Sequence, residues 1–295
     1  MTFMINHKEE IINHLEDRLA NCDLCPRDCR VNRRRATRGF CGGGAQARVA
    51  SFHPHRGEEF LLSGSRGSGT IFFSGCNMRC VYCQNYSISQ GREGKEFTDK
   101  ELAQVMLRLQ DGGCHNINLV TPTHFIPQIF RSLLMARGDG LTIPVVYNTG
   151  GYDKKEVLEK IEGLVDIYLP DMKYAREESA RKYSDAPGYP EINREAIKEM
   201  FRQVGEVEWE EEGVAKRGLI VRILIIPSLE EEAKENLRFL AENVSRGVFI
   251  SVMRQYRPCY KADFFPELSR RVSEEAYREI VAYARELGLK NLILQ

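Results

Sequence analysis

Apolar positions along this chain fall into two alternating patterns. Short, nearly continuous apolar runs occupy Thr70–Ser74, Ile117–Val120, Pro144–Asn148, Val165–Leu169, Leu219–Ile226, Val248–Val252 and Leu289–Leu294. Each has strand length, and polar or glycine-containing stretches separate one from the next. Between them, apolar residues recur with a helical period over 98–111, 125–137, 154–162, 191–204, 230–243 and 273–287. The first of these helices opens on a capping box, Thr98-Asp99-Lys100-Glu101, and stops at Gly112-Gly113. Ser273 is placed to cap the last one and Gly288 to end it. Strands and helices alternating in this way predict a parallel sheet with right-handed crossovers. A doubly wound sheet and a barrel both fit that count. SGCNMRC, not a dinucleotide glycine fingerprint, follows the first strand. The expected α/β architecture is therefore an open or partial barrel.

The N-terminal part reads differently. Ile11, Ile12, Leu15 and Leu19 share one face of a helix over 7–20, and residues 22–64 then lose periodicity and fill with Cys, Arg and Gly. This divides the chain into an N-terminal helix with a small cysteine-rich metal-binding subdomain, 1–64, and a barrel, 65–295. The acidic run Glu206–Glu212 with Trp209 reads as a solvated hairpin ahead of the fifth strand.

Charge changes little: 42 basic residues balance 42 acidic ones, so no global field steers the chain toward nucleic acid or membrane. No apolar run has the length of a membrane span, and the start of the sequence lacks a secretory pattern. A cytoplasmic location is expected.

The cysteines carry the chemistry. Seven of nine (Cys22, Cys25, Cys29, Cys41, Cys76, Cys80 and Cys83) lie in the first third, and in a reducing compartment such clusters hold metal. Cys76, Cys80 and Cys83 are spaced C-x3-C-x2-C directly after an apolar strand. Three thiolates on one loop can take three corners of an iron–sulfur cube, leaving one iron open to a small molecule. A zinc knuckle is the competing assignment, but structural zinc wants four closed ligands and no histidine is near.

At these residues the chain resembles the radical S-adenosylmethionine (SAM) superfamily, whose signature is CxxxCx-aromatic-C, with Tyr82 as the aromatic. It is more closely similar to the branch around pyruvate formate-lyase activating enzyme. The resemblance spans CDLCPRDCRVNRRR, GSGTIFFSGCNMRCVYCQNYSIS, HNINLVTPTH, VVYNTGGYD, DIYLPDMKY and QYRPCYKA. It implies a partial (β/α)6 barrel and a 4Fe-4S cluster at Cys76, Cys80 and Cys83. It also implies SAM chelated to the open iron and cleaved to methionine and a 5′-deoxyadenosyl radical that abstracts hydrogen. The same resemblance puts the backbone at Tyr82 against adenine and has Asn85 order the loop. Thr121-Pro122-Thr123 falls where relatives carry glycines near the SAM amino group. Asn148 and Thr149 fall near its carboxylate, and Asp171, Lys173 and Arg222 form a polar clamp. Ile223 and Ser228 stand where relatives have His and Gly. An arginine inside VRILII must find a partner in any case, whereas the alternative for Asp171 and Lys173 is an exposed pair of little value.

Cys22, Cys25, Cys29 and Cys41, spaced C-x2-C-x3-C-x11-C, can close a second site around zinc or another iron–sulfur cluster. The arginines among them (27, 30, 33, 34, 35 and 38) read either as a patch for an acidic protein, phosphate or RNA, or as balance for thiolate charge. Cys259 and His124, at strand ends, are candidate catalytic groups; the alternatives are a buried small hydrophobe and a helix cap. Cys114 reads as structural. The expected activity is that of a radical SAM enzyme of the glycyl-radical activase kind. Its partners would be a one-electron donor such as flavodoxin or ferredoxin and a glycyl-radical protein. A radical SAM enzyme acting on RNA and a non-catalytic iron–sulfur or zinc protein are the alternatives.

Overall fold

A computed structural model describes residues 2–35, 37–209 and 213–294. Helix α1 (Thr2–Asp17) leads through a short 3-10 turn into the cysteine segment, followed by β1 (Ala47–His55), α2 (Phe60–Ser63), β2 (Ser68–Phe73), α3 (Tyr86–Ser89) and β3 (Lys95–Phe97). The alternating part comprises α4 (Asp99–Asp111), β4 (Ile117–Val120), α5 (Ile126–Gly138), β5 (Val145–Thr149), α6 (Lys155–Lys160), β6 (Ile167–Pro170), α7 (Glu177–Ser184) and α8 (Tyr189–Val204). It finishes with β7 (Glu208–Trp209), β8 (Ala215–Leu224), α9 (Glu230–Asn243), β9 (Phe249–Met253), α10 (Glu274–Glu286) and β10 (Asn291–Leu294).

The strands form one open sheet in the order β10-β9-β8-β6-β5-β4-β2-β1-β3. The run from β2 to β10 is parallel throughout, as the alternation predicted. Strands β4, β5 and β6 at the centre of this run are buried along nearly their whole length, which is why they read as continuous apolar runs. The capping box at Thr98 forms with both of its hydrogen bonds, and Ser273 accepts from the Ala276 amide at 3.1 Å. Among the described residues no helix is long and apolar enough to cross a membrane.

Two elements depart from expectation. The segment 22–64 is irregular only at its beginning, because residues 47–55 form β1, antiparallel to β2. The sheet thus takes a strand from the N-terminal side of the boundary expected at 64/65. Beyond its three-residue pairing with β3, β1 is an edge strand, and an edge is where Pro54 can be tolerated. Helix α7 lies outside the expected helices, because EESARKYS buries only Ala180, Tyr183 and Ser184. The hairpin expected over Glu206–Glu212 is seen where Trp209 pairs with Ala215, while residues 210–212 lie outside the described residues.

Candidate active site

The cysteine loop leaves the C-terminal end of β2, where parallel α/β folds gather their chemistry. Backbone bonds brace it from two sides. The Arg79 and Val81 amides donate to Ser184 and Tyr183 at the end of α7, both at 2.8 Å, and the Lys261 amide donates to Val81 at 2.8 Å. Cys76, Cys80 and Cys83 all line one cavity of about 460 Å³, a size ordinary for a small-molecule site. Donors already face the sulfurs. The Met78 amide donates to Cys76 Sγ at 3.4 Å, Ser184 Oγ donates to Cys80 Sγ at 2.9 Å, and Ser89 Oγ lies 3.2 Å from Cys83 Sγ. Such donors support cluster-bound thiolates. As free thiols Cys76 and Cys80 are held protonated: burial, reinforced by Cys80, pushes Cys76 up, and burial pushes Cys80 to about 11 against the opposing charge of Lys173. Three thiols lining one cavity, each with a donor at its sulfur, fit a cluster better than they fit free cysteine.

Behind Cys80 runs a chain of hydroxyls that no sequence motif announces. Tyr82 and Tyr174 are 2.5 Å apart at their oxygens, Tyr174 and Ser184 are 2.7 Å apart, and Ser184 ends on the Cys80 sulfur. The Tyr82 ring is thereby fixed beside the cavity it lines.

Opposite the thiols, β5, β6 and β8 deliver a buried polar network. Arg222 donates through Nε to Asp171 at 2.8 Å and through a terminal nitrogen to Asn148 Oδ1 at 2.6 Å. Lys173 Nζ donates to the second Asp171 oxygen at 2.5 Å. These side chains are only 13–16% exposed, so Asp171 and Lys173 are not an exposed surface pair. Burial alone would raise the Asp171 carboxyl, but Arg222 and Lys173 prevail and hold it below the usual carboxylate range. Burial opposes the charge of Lys173 too, and Asp171 overrides it, raising its pKa. Glu58 completes the set: it sits 3.6 Å from Arg222 and accepts from Asn118 at 2.8 Å and from Asn148 at 3.2 Å. No spacing pointed to Glu58. The one available clue was Asn118, an amide inside the apolar strand INLV that had to find a buried partner.

Strand alternation explains which neighbours take part. Arg222 and Leu224 line the cavity, while Ile223 packs into the core on the other face of β8. Ser228 adopts φ +68°, a left-handed conformation that favours glycine. Thr121, Asn148 and Thr149 line the cavity, and Asn85 stands exposed at its mouth. Thr123 does not line it. Its hydroxyl donates to the buried Asp153 at 2.7 Å, and Thr149 and Tyr147 donate to the same carboxylate at 2.7 and 2.9 Å. Replacing Thr123 with Val is therefore expected to cost about 1–3 kcal/mol of folding stability, measured by denaturant unfolding, with SAM affinity unchanged. A loss of SAM affinity without loss of stability would put the hydroxyl back in the cavity.

His124 and Cys259 are not among the residues lining the cavity. His124 is 1% exposed behind the loop, its Nε2 is 2.8 Å from the Ser74 carbonyl, and burial lowers its pKa to about 3. Cys259 lies on the rim loop after β9, where its carbonyl accepts from the Ala262 amide. Cys114 is buried in the core, as expected.

The other cysteines gather separately: Cys22, Cys25, Cys29 and Cys41 line a small closed cavity together with Arg33 and His124. Much of the arginine run is already engaged. Arg30 pairs with Asp23 at 3.0 Å, Arg34 with Asp17 at 2.8 Å and Arg38 with Glu96 at 3.4 Å, while Arg33 reaches Cys22 Sγ at 3.8 Å. That arrangement favours charge balance over a free basic patch.

Comparison with known proteins bears on this geometry. Residues 70–240 match the family model of the radical SAM superfamily. The chain is 31% identical over 296 residues to an uncharacterised protein of Methanocaldococcus jannaschii, covering 97% of this chain and 80% of that one. It is 29% identical over 210 residues to the pyruvate formate-lyase-activating enzyme of Clostridium pasteurianum, covering 64% of this chain and 73% of that enzyme. Among solved structures, SuiB of Streptococcus suis bound to its precursor peptide aligns with a TM-score of 0.53 at 12% identity, covering 75% of this chain and 46% of that one. HydG, a maturase of the FeFe-hydrogenase, aligns with a TM-score of 0.51 at 18% identity, covering 74% and 49%. The chain thus spans about half the length of these two structures, and the likeness to them is one of fold.

Proposed function

The chain belongs to the radical SAM superfamily, and from that premise we propose that it is an activase-like enzyme that abstracts a hydrogen atom from a protein substrate. The family works with a 4Fe-4S cluster and SAM. In this chain Cys76, Cys80 and Cys83 would hold the cluster, with one iron left for SAM. When bound, the cluster supplies the electron that splits the SAM sulfonium bond into methionine and a 5′-deoxyadenosyl radical.

The protein's own part is to bind, orient and exclude water. The loop at Tyr82 offers backbone to the adenine. Lys173 gives one hydrogen bond to Asp171 and keeps further ammonium hydrogens for a carboxylate beside the thiols. Asp171 and Glu58 provide the negative charge that an ammonium or sulfonium group needs. The observation that carries this reading is the single cavity with three thiols on one wall and the Asp171–Lys173–Arg222 network on another.

A polypeptide target is supported by the activating-enzyme relative and by the rim. Tyr86 and Tyr260 stack at 4.9 Å while 46% and 36% exposed, and Phe264 is 79% exposed. Clustered exposed aromatics of this kind suit a macromolecular surface. A one-electron carrier such as flavodoxin or ferredoxin would supply the electron. The test is anaerobic: iron-reconstituted protein reduced with dithionite should convert SAM to methionine and 5′-deoxyadenosine in equal amounts. Absence of both products from protein whose cluster spectrum is intact would falsify the assignment.

A further inference from the structure

We propose that the buried hydroxyls of Tyr82, Tyr174 and Ser184 form a one-way hydrogen-bond relay onto the Cys80 sulfur, and that this relay sets how readily the cluster at 76–83 takes its electron. The inference rests on the function proposed above. It gives Tyr174 and Ser184, which do not line the cavity, a role as positioning residues for the reducing step.

Counting hydrogens fixes the direction. Each hydroxyl has one hydrogen to give. A cluster-bound Cys80 is a thiolate and only accepts, so Ser184 spends its hydrogen on the sulfur at 2.9 Å. Tyr174, 2.7 Å from Ser184 Oγ, must then donate to Ser184. Tyr82, 2.5 Å from the Tyr174 oxygen, must donate to Tyr174 in turn. Among the described residues these three hydroxyls make no other hydrogen bond. All three hydrogens therefore point toward Cys80, and each bond polarises the next. A free thiol imposes no such order, because Cys80 then has a hydrogen of its own.

The surroundings amplify the effect. Tyr82, Tyr174 and Ser184 are all buried, and the two tyrosines pack in an aromatic cluster with Tyr152, Tyr183, Tyr189 and Tyr256. Phenylalanine at both tyrosine positions and alanine at 184 would keep the rings packed with no hydroxyl to desolvate. In so apolar a setting an oriented hydroxyl acts on a neighbouring charge far more strongly than in water. Reduction adds negative charge at the sulfurs, and a donor aimed at Cys80 stabilises that state. Hydrogen bonds to sulfur are among the levers that set cluster potentials.

Helix α7 is built for this contact. It buries only Ala180, Tyr183 and Ser184. The carbonyls of Tyr183 and Ser184 accept from the amides of Val81 and Arg79, the two residues flanking Cys80, and the Ser184 hydroxyl adds the sulfur itself. The other two sulfurs meet local groups, the Met78 amide at Cys76 and the Ser89 hydroxyl at Cys83. Cys80 alone takes its donor from a distant element, and that donor is the one with further hydroxyls behind it.

Potentiometric paramagnetic resonance of anaerobically reconstituted protein reads the relay without turnover. The cluster at 76–83 is identified as the signal that changes when SAM is added. Ser184→Ala should move its one-electron reduction equilibrium about tenfold toward the oxidised state, a potential lower by ~59 mV. Tyr174→Phe keeps the Ser184 hydroxyl and removes only the group that polarises it, so its potential should fall by less, and that of Tyr82→Phe by less again. Iron per chain should match wild type in all three variants. Tyr174→Phe is the deciding variant, since it removes one oxygen and leaves every ring in place, and it still decides if Ser184→Ala fails to fold. An unmoved potential in Tyr174→Phe would overturn the relay, even with a shift in Ser184→Ala. Iron lost from Tyr174→Phe would make the hydroxyl chain a structural support and overturn its electronic role. Wild-type protein with no SAM-responsive signal would instead count against the proposed function. A responsive signal with one potential throughout the series would count against the relay alone.

Discussion

Replacing Cys80 with Ala is expected to abolish formation of 5′-deoxyadenosine while leaving the barrel folded. Of the three loop thiols, Cys80 has the most support behind it, since it ends the hydroxyl chain from Tyr82 through Tyr174 and Ser184. Losing it leaves two cysteine ligands where the cluster needs three, and the Ser184 hydroxyl loses its sulfur acceptor. The barrel does not depend on this loop, because its main core is built from strand and helix residues such as Ile71, Leu119, Val145 and Val221. Circular dichroism should therefore be unchanged while cluster absorbance and SAM cleavage disappear. Cleavage persisting at even a tenth of the wild-type rate would show that the thiol is no cluster ligand. Cys76→Ala and Cys83→Ala should behave alike.

Arg222→Met should be the most destabilising of the single changes considered. Met keeps much of the aliphatic bulk, so the effect is electrostatic: Asp171 and Glu58 are left as buried carboxylates, with Lys173 as the remaining partner of the first. Removing one member of a buried ionic set costs about 3–5 kcal/mol. SAM affinity should fall about tenfold as well, the value of one charge-assisted hydrogen bond. Asp171→Asn should weaken SAM binding in the same direction. The sign with pH follows from Asp171 being held below its ordinary value. Its stabilising contribution is complete at neutral pH and is lost only as pH falls below about 4. Denaturant unfolding at pH 7 and SAM titration report the two quantities separately. If Arg222→Met leaves both at wild-type values, the network is neither a support nor a clamp.

What could be read from the sequence followed physical regularities of short range. The parallel strands were legible because both their faces are buried and their apolar runs are uninterrupted. The thiol loop was legible because Cys76, Cys80 and Cys83 lie within eight residues of sequence, directly after an apolar strand, where reduced thiols so crowded make sense as ligands to one metal centre. β1 was not, since ARVASFHPH buries only Ala47 and Val49 and carries a proline. Glu58 was invisible because its partners, Asn118, Asn148 and Arg222, come from three strands far along the chain. Thr123 was assigned by position after a strand, but position alone does not say which way a hydroxyl turns. Asp153, four residues past Thr149, decides that.

Asp153 also sets the tolerance of this site to change. It ties the segment after β4 to the end of β5 through the hydroxyls of Thr123, Tyr147 and Thr149, and of these three residues only Thr149 also lines the cavity. Thr121 and Asn148, from the same two strand ends, face the cavity. Anchorage and recognition are thus carried by interleaved positions that coincide at Thr149. A library that randomises Thr121, together with rim residues such as Gln255, should retain a high fraction of folded members. The same diversity placed at Thr123, Tyr147 and Thr149 should yield mostly unfolded protein. A new specificity is therefore to be sought on the front of these strand ends, with the back left untouched.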